Sequence, residues 1–340
     1  MKWIRNNIYM VIGLSILLSL LVVSFVHLFL FQNEIPQAEA SFQELKRLGP
    51  PPYPPSVEHW FGTDQQGNDL FSMMISGAKY TLSIAVGVTI ARMVLGYALG
   101  YFISNFNKRT KVQIESLTEG FRYIPATLFC FILLYPINIS IAFSSKEKMI
   151  IQLVLMILIS LPTLSLVILE EVNSVKEQEY FLAGRMLGGN KIHMLFHHIV
   201  PVLRKRLNII TVQQFVQVLI LLAHLGLLQI FVGGTSIQSS ISGDSQITLS
   251  TTYEWSGLIG TYFYYLPLAP WLLLFPVGFF ALSVFAANLI LLNMNRCESV
   301  EFIQKQNKEE KKVKNTSVYT LSEKQLNQFE MINKGKELKL

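Results

Sequence analysis

Arg92 is the first residue of this sequence that could do chemistry, because it falls in the middle of a long apolar block. A charge at mid-bilayer depth costs about 2.5–3.5 kcal/mol, so it must either line an aqueous path or sit between helices, paired to carbonyls. Position alone leaves both readings open. Gln213, Gln217 and His224 lie on one narrow stripe of another apolar block, given 3.6 residues per turn. Polar groups there are costly against lipid, so the stripe faces water or a neighbouring helix. His193 and His197 stand one helical turn apart with His198 beside them, yet no carboxylate or cysteine in that segment completes a metal set. They read as interface histidines, and no metal site is expected. Cys130 and Cys297 cannot form a disulfide framework. No Gly-rich phosphate loop of the Walker kind occurs, so no nucleotide site and no enzyme chemistry are expected of the chain itself.

The elements that must position these groups follow from composition. The 340 residues are 51% hydrophobic and only 15% charged, against about a quarter in soluble proteins. The net charge of +6 does not indicate nucleic acid, because the basic residues flank apolar blocks or crowd a polar tail. Six blocks are long enough to cross a hydrocarbon core, which takes about 20 helical residues. They lie near Ile8–Phe31, Tyr80–Ser104, Leu117–Ile137, Met149–Leu169, Leu207–Val232 and Leu268–Leu292. Lys2 and Arg5 before the first block, and Ala38-Glu39-Ala40 after it, imitate a secretory signal. The block is much longer than the roughly 7–15 apolar residues of a signal peptide, so it reads as an uncleaved first span.

Basic residues set the orientation, since Lys- and Arg-rich short loops stay in the cytoplasm. With the N-terminus inside, the inner segments hold Lys2, Arg5, Lys108, Arg109, Lys111, Lys176, Arg185, Lys191, Arg204, Lys205 and Arg206. The outer ones hold only Lys46, Arg47, Lys79, Lys146 and Lys148. Both termini are therefore expected in the cytoplasm, in a multi-pass protein of the cell membrane. The expected organisation is a first span over 1–32 and an outer loop with an amphipathic segment over 33–79. A five-span core follows over 80–292, with an inner loop at 171–206. The remainder, 293–340, is polar and too poor in apolar residues to fold, so it is expected to be a disordered tail.

The inner loop is the richest segment. Ser174-Val175-Lys176-Glu177 has the spacing of a capping box, and Gln178 to Leu187 are good helix formers. Gly188-Gly189 supplies the left-handed residue that ends a helix. Asn190 is expected to cap a second short helix through Phe196, which Pro201 stops before the next span. On the first helix Tyr180, Ala183, Gly184 and Leu187 share one apolar face with small residues at its centre. Such a face suits insertion into another protein's groove or adsorption at the membrane surface; periodicity leaves both open.

Glu179-Tyr180-Phe181-Leu182-Ala183-Gly184-Arg185-Met186-Leu187-Gly188, with His198-Ile199-Val200-Pro201 after it, resembles the coupling loop of ABC-importer permeases. Ala183, Arg185, Leu187, Gly188 and Pro201 match the peptide-permease version, and Gly184 stands where that version usually has Ala. Phe61-Gly62-Thr63-Asp64-Gln65-Gln66-Gly67-Asn68-Asp69 is similar to the motif before the second span of dipeptide and oligopeptide permease C-type subunits. Glu254-Trp255-Ser256-Gly257 and Ala269-Pro270-Trp271-Leu272-Leu273 resemble their outer loop and final span. The resemblance covers roughly Phe61 to Leu291.

This resemblance implies an all-α fold of six transmembrane helices, the type I ABC-importer permease fold. It implies that Glu179, Tyr180, Ala183, Gly184, Arg185, Leu187, Gly188 and Pro201 form the ATPase-coupling loop. Arg92, Gln213, Gln217 and His224 are the candidates for the translocation path. The implied partners are a paralogous permease subunit, two cytoplasmic ABC ATPase subunits, an extracellular substrate-binding protein and the lipid bilayer. ATP and Mg would be held by the ATPase subunits, with no cofactor on this chain. Peptides are the leading cargo; nickel or another small solute, and a sensor that keeps the fold without transport, are the alternatives. Departures from the family pattern are Asn68 in place of Arg, Leu219 in place of an acidic residue, a longer stretch at Gly233–Thr252, and the long tail.

Overall fold

The computed structural model describes residues 7–32, 35–37, 51–140, 142–188, 190–232, 235–239, 246–250 and 252–299. Lys2, Arg5, the Ala38-Glu39-Ala40 stretch, Gly189 and the tail beyond Ser299 lie outside them. The chain divides into a unit of Met1–Leu291 and one of Leu292–Leu340. The described part of the second is the end of a helix. The helices are α1 (Ile8–Phe31), α2 (Leu70–Ile103), α3 (Lys108–Tyr123), α4 (Ala126–Ile139), α5 (Ser145–Lys176) and α6 (Glu179–Met186). After them come α7 (Lys191–Met194), α8 (Val200–Leu227), α9 (Trp255–Tyr262) and α10 (Trp271–Ser299). A two-stranded antiparallel hairpin, β1 (Thr235–Ser239) with β2 (Gln246–Ser250), occupies part of the Gly/Ser/Thr-rich stretch expected to be loop.

Among the described residues, five helices are long and apolar enough to cross a membrane: α1, α2, α5, the run Leu195–Leu227 and α10. Between lipid-exposed helices burial gives no hydrophobic gain, so association depends on close packing and on hydrogen bonds that satisfy polar groups. The α2–α5 pair shows both. Arg92 Nε and Nη2 donate to the Met156 carbonyl at 3.1 and 2.6 Å. Farther along, Leu164 and Ile168 pack against the backbone at Gly96 and Gly100. At the far ends Lys176 Nζ donates to Ser104 O, Ser104 Oγ and Asn105 Oδ1 at 3.2, 2.8 and 2.9 Å. Contacts that advance in step along both chains mean parallel helices. The segment between them must therefore return across the membrane.

That return corrects the expected third span. Leu117–Ile137 is not one helix: α3 and α4 meet at an 80° bend. Pro125 has no N–H to continue the ladder, and it pushes Ile124 into an extended conformation (φ −89°, ψ 121°). The 14 residues of α4 reach only about 21 Å, short of a hydrocarbon core of about 30 Å. The bent pair together completes the sixth crossing.

Other boundaries also move. The second span begins at Leu70 rather than Tyr80, capped by Asp69 Oδ2, which accepts from Ser72 N at 2.9 Å. The last span starts at Trp271, after Pro270, and its helix continues past Leu292 to Ser299, into the segment expected to be tail. The main core gathers Leu70, Met73, Met74, Leu82, Val218, Leu219, Leu222 and Trp255. A second cluster, where α5, α6 and the start of α8 meet, holds Ile168, Val172, Val175, Phe181, Met194, Ile199 and Leu203.

Candidate functional site

The inner loop folds differently from the capping-box expectation. Ser174 does not start a helix; it sits in the last turn of α5 and its Oγ donates to Glu171 O at 2.7 Å. The reason is packing: Ile168, Val172 and Val175 continue one buried stripe, which holds α5 helical through Lys176. The short helix α6 begins at Glu179 instead, after Gln178. Pro201 does not stop the second helix either. The chain runs from α7 through a wide π turn at Leu195–Ile199 directly into α8, with Pro201 just past the turn, where the irregular helix accommodates a residue that has no N–H to give.

A single anchor positions α6. Phe181 is 6% exposed, set among the second cluster, and Gly184 is half-buried beside Met194. The rest of the helix faces outward: Glu179, Tyr180, Ala183 and Arg185 are exposed, Met186 is 88% and Leu187 90% exposed. Gly188 follows with φ +88°, the left-handed conformation that an L side chain resists. Lys111 Nζ reaches Asn173 Oδ1 at 3.4 Å, and Arg206 Nε pairs with Glu171 Oε1 at 2.7 Å. These contacts tie the root of α6 to α3 and α8. The His193 and His197 rings stack at 4.2 Å between centroids. No group of three potential metal ligands occurs among the described residues.

The second candidate region is a cavity of about 330 Å³ at the α3–α4 bend, lined by Arg92, Arg122, Thr127, Thr163, Gln217 and His224 among others. Three of the four expected path residues meet there. Gln213 does not; it is exposed outside this cavity. Its neighbour Gln214 points inward, accepts from Arg92 Nη1 at 3.4 Å, and donates to Gln217 at 3.0 Å. Arg92 is thus both things the sequence left open: bound to a carbonyl between helices and bordering a cavity. His224 Nδ1 lies 3.3 Å from Thr127 Oγ1. A smaller cavity of about 190 Å³ shares Arg122 and Thr163 with the first and adds Glu115, Glu119 and Glu170. Arg122 therefore stands between an electropositive pocket and an acidic one.

Residues 92–296 match the family described as the binding-protein-dependent transport system inner membrane component. The chain belongs to that family. The permease is 22% identical over 289 residues to the dipeptide transport system permease protein DppC of Alkalihalophilus pseudofirmus, covering 85% of this chain and 84% of the relative. It is 25% identical over 240 residues to the oligopeptide transport system permease protein OppC of Bacillus subtilis, covering 70% of each. The peptide transport system permease protein SapC of Escherichia coli is 24% identical over 234 residues, 69% of this chain and 71% of that one.

Three features of the permease site escaped sequence reasoning. Phe181 looked like one apolar residue among several, and only packing distinguishes an anchor from a displayed face. Gln214 was passed over for Gln213, although it stands three residues before Gln217 and so borders the same stripe. The Pro125 signal for the bend was present in the sequence. At the opposite end from α6, Asp64 accepts from the Gln66 and Asn68 amides at 2.9 and 2.8 Å, and from Tyr262 Oη at 3.1 Å. The motif before α2 thereby clasps the end of α9. Asn68, the departure from the family pattern, donates its amide to Asp64 Oδ2 at 2.9 Å.

Proposed function

We propose that the chain is the membrane-spanning subunit of an ATP-driven ABC importer of peptides. The observation that carries the reading is the outward display of Tyr180, Met186 and Leu187 on a helix held by Phe181 alone. Apolar side chains at the water-facing end of a span are costly unless a partner covers them. The family match and the named peptide permeases among its relatives support this assignment.

On this reading α6 is the coupling element on which a cytoplasmic ABC ATPase docks, with Glu179, Ala183, Gly184, Arg185, Gly188 and Pro201 shaping the contact. Two ATPase subunits, a paralogous permease and an extracellular substrate-binding protein complete the assembly, and ATP with Mg resides on the ATPases. ATPase closure pushes α6; α5 and α8, tied to its root, carry the displacement to the cavity at Arg92, Gln217 and His224. The pore then alternates between two accesses. The organisation by segments and the cytoplasmic placement of both termini belong to the same proposal, supported by the excess of basic residues on the inner segments. A cysteine placed at Ser145 is expected to react with an impermeant reagent added to intact cells and one at Thr110 not to; the opposite pattern overturns the orientation.

Gly188→Val tests the coupling loop. An added Cβ meets nothing within 4 Å, so the change acts through backbone strain at positive φ and not through a clash. Membrane abundance is expected to hold while ATPase co-purification and peptide uptake fall severely, with a milder loss for Glu179→Ala. Full ATPase binding and uptake in Gly188→Val would remove the coupling assignment.

A further inference from the structure

Glu254 lies immediately before α9, at the opposite end from α6, and is 1% exposed. Its carboxyl is reached, among the described residues, by the Thr252 and Ser256 hydroxyls and the Val232 amide. Tyr253, Tyr262, Asp64 and Lys79 are the titratable groups on the surrounding elements. Asp64 is engaged with Tyr262, and Lys79 Nζ lies 3.4 Å from Ser76 Oγ. Among the described residues no ion pair joins any cation to Glu254.

Hydrogen counting then becomes informative. Thr252 Oγ1 lies 3.1 Å from the Val232 carbonyl and 3.0 Å from Glu254 Oε2. A hydroxyl has one hydrogen to give. If Glu254 is ionised, both neighbours are acceptors and Thr252 serves one of them, which leaves the buried charge to hydroxyls and the Val232 amide, with no cation paired to it among the described residues. If Oε2 carries a proton, it donates to Thr252 Oγ1, Thr252 donates to Val232 O, and each group in the chain is satisfied. Oε1 remains to accept from Ser256 Oγ at 3.4 Å. Burying a lone carboxylate without a cation is the costly alternative.

We propose that Glu254 is a proton-binding site: its carboxyl is neutral while α9 is buried, and its ionisation works against that burial. The next residue explains the coupling. Trp255 N donates to Thr81 Oγ1 at 3.0 Å and Trp255 Nε1 to Met74 O at 2.9 Å, so the start of α9 is pinned to α2. A charge appearing one residue away must draw in water or a cation, and either displaces this end of α9.

Burial pushes the Glu254 carboxyl up to about 8, while its hydrogen bonds pull the other way. Because the folded value is raised above the ordinary 4.5, the contribution to the packed state is full below 4.5 and is lost as pH rises from there through about 8. The proton comes from water and returns to it, so the claim stands apart from transport. The test is an infrared pH titration of the full-length protein in lipid nanodiscs. A protonated-carboxyl band is expected at pH 7, lost with a midpoint near the value above, and missing from Glu254→Gln. The Gln side chain can donate to Thr252 in the proton's place, so the thermal midpoint of that variant should not decline between pH 5 and 8, whereas the wild type's should. Should Glu254→Gln fail to fold, Thr252→Val assigns the band by shifting its midpoint. A wild-type spectrum with no protonated-carboxyl band at pH 7, or a band unmoved by either variant, overturns the proposal.

Discussion

Two helices of eight residues sit at opposite ends of this permease, and their surroundings could hardly differ more. Every residue of α9, Trp255 to Tyr262, is buried. On α6 only Phe181 is. α6 carries Glu179 and Arg185 and α9 carries no charge, so composition accounts for part of the contrast. Partners within the chain account for the rest. Gly226 and Gly260 leave room for backbone to meet backbone, since a Cβ on Gly226 would strike Ser256 O and one on Gly260 would strike Gly226 O. Among the described residues nothing comparable covers α6, whose Tyr180, Met186 and Leu187 are left outward. Burial of a short helix here follows from the backbone contacts its own chain supplies.

The contrast can be broken at either end. Trp255→Ala removes a side chain with no exposure and an indole N–H bonded to Met74 O, and should destabilise the reconstituted protein by about 3–5 kcal/mol. A loss below about 1 kcal/mol in denaturant unfolding would mean that α9 is not a core element. Leu187→Ser alters a residue already in water, so stability should stay within about 0.5 kcal/mol. Retention of the ATPase should nevertheless fall several-fold. Unchanged retention would show that the outward face of α6 does not dock.

How much of this was legible beforehand differs between lipid-scale and contact-scale features. The spans were readable because hydrocarbon thickness demands long apolar runs, and α1, α2, α5, α8 and α10 all overlap the expected blocks. The positive-φ Gly188 was readable because a helix end in that conformation favours glycine. What misled was local chemistry that packing outweighed. Ser174 and Glu177 have the right spacing for a cap, yet the buried stripe through Val172 and Val175 held the backbone helical past them. Pro201 resembles a terminator, but it follows directly on the π turn at Leu195–Ile199, and the helix continues through it. The meeting of Arg92, Gln217 and His224 around one cavity needed the α3–α4 bend, which no periodicity within a single block reveals.

The wide turn at Leu195–Ile199 has a consequence for how α7 is phased against α8. A π turn holds one residue more than an α turn, and each residue of an α-helix rotates the chain by about 100°. With that extra residue between them, Met194 on α7 and Leu203 on α8 both reach the cluster around Phe181. The arrangement is that of two cams on one shaft with separate keyways. Changing the length of this turn by a residue would re-time one cam and leave the other where it was.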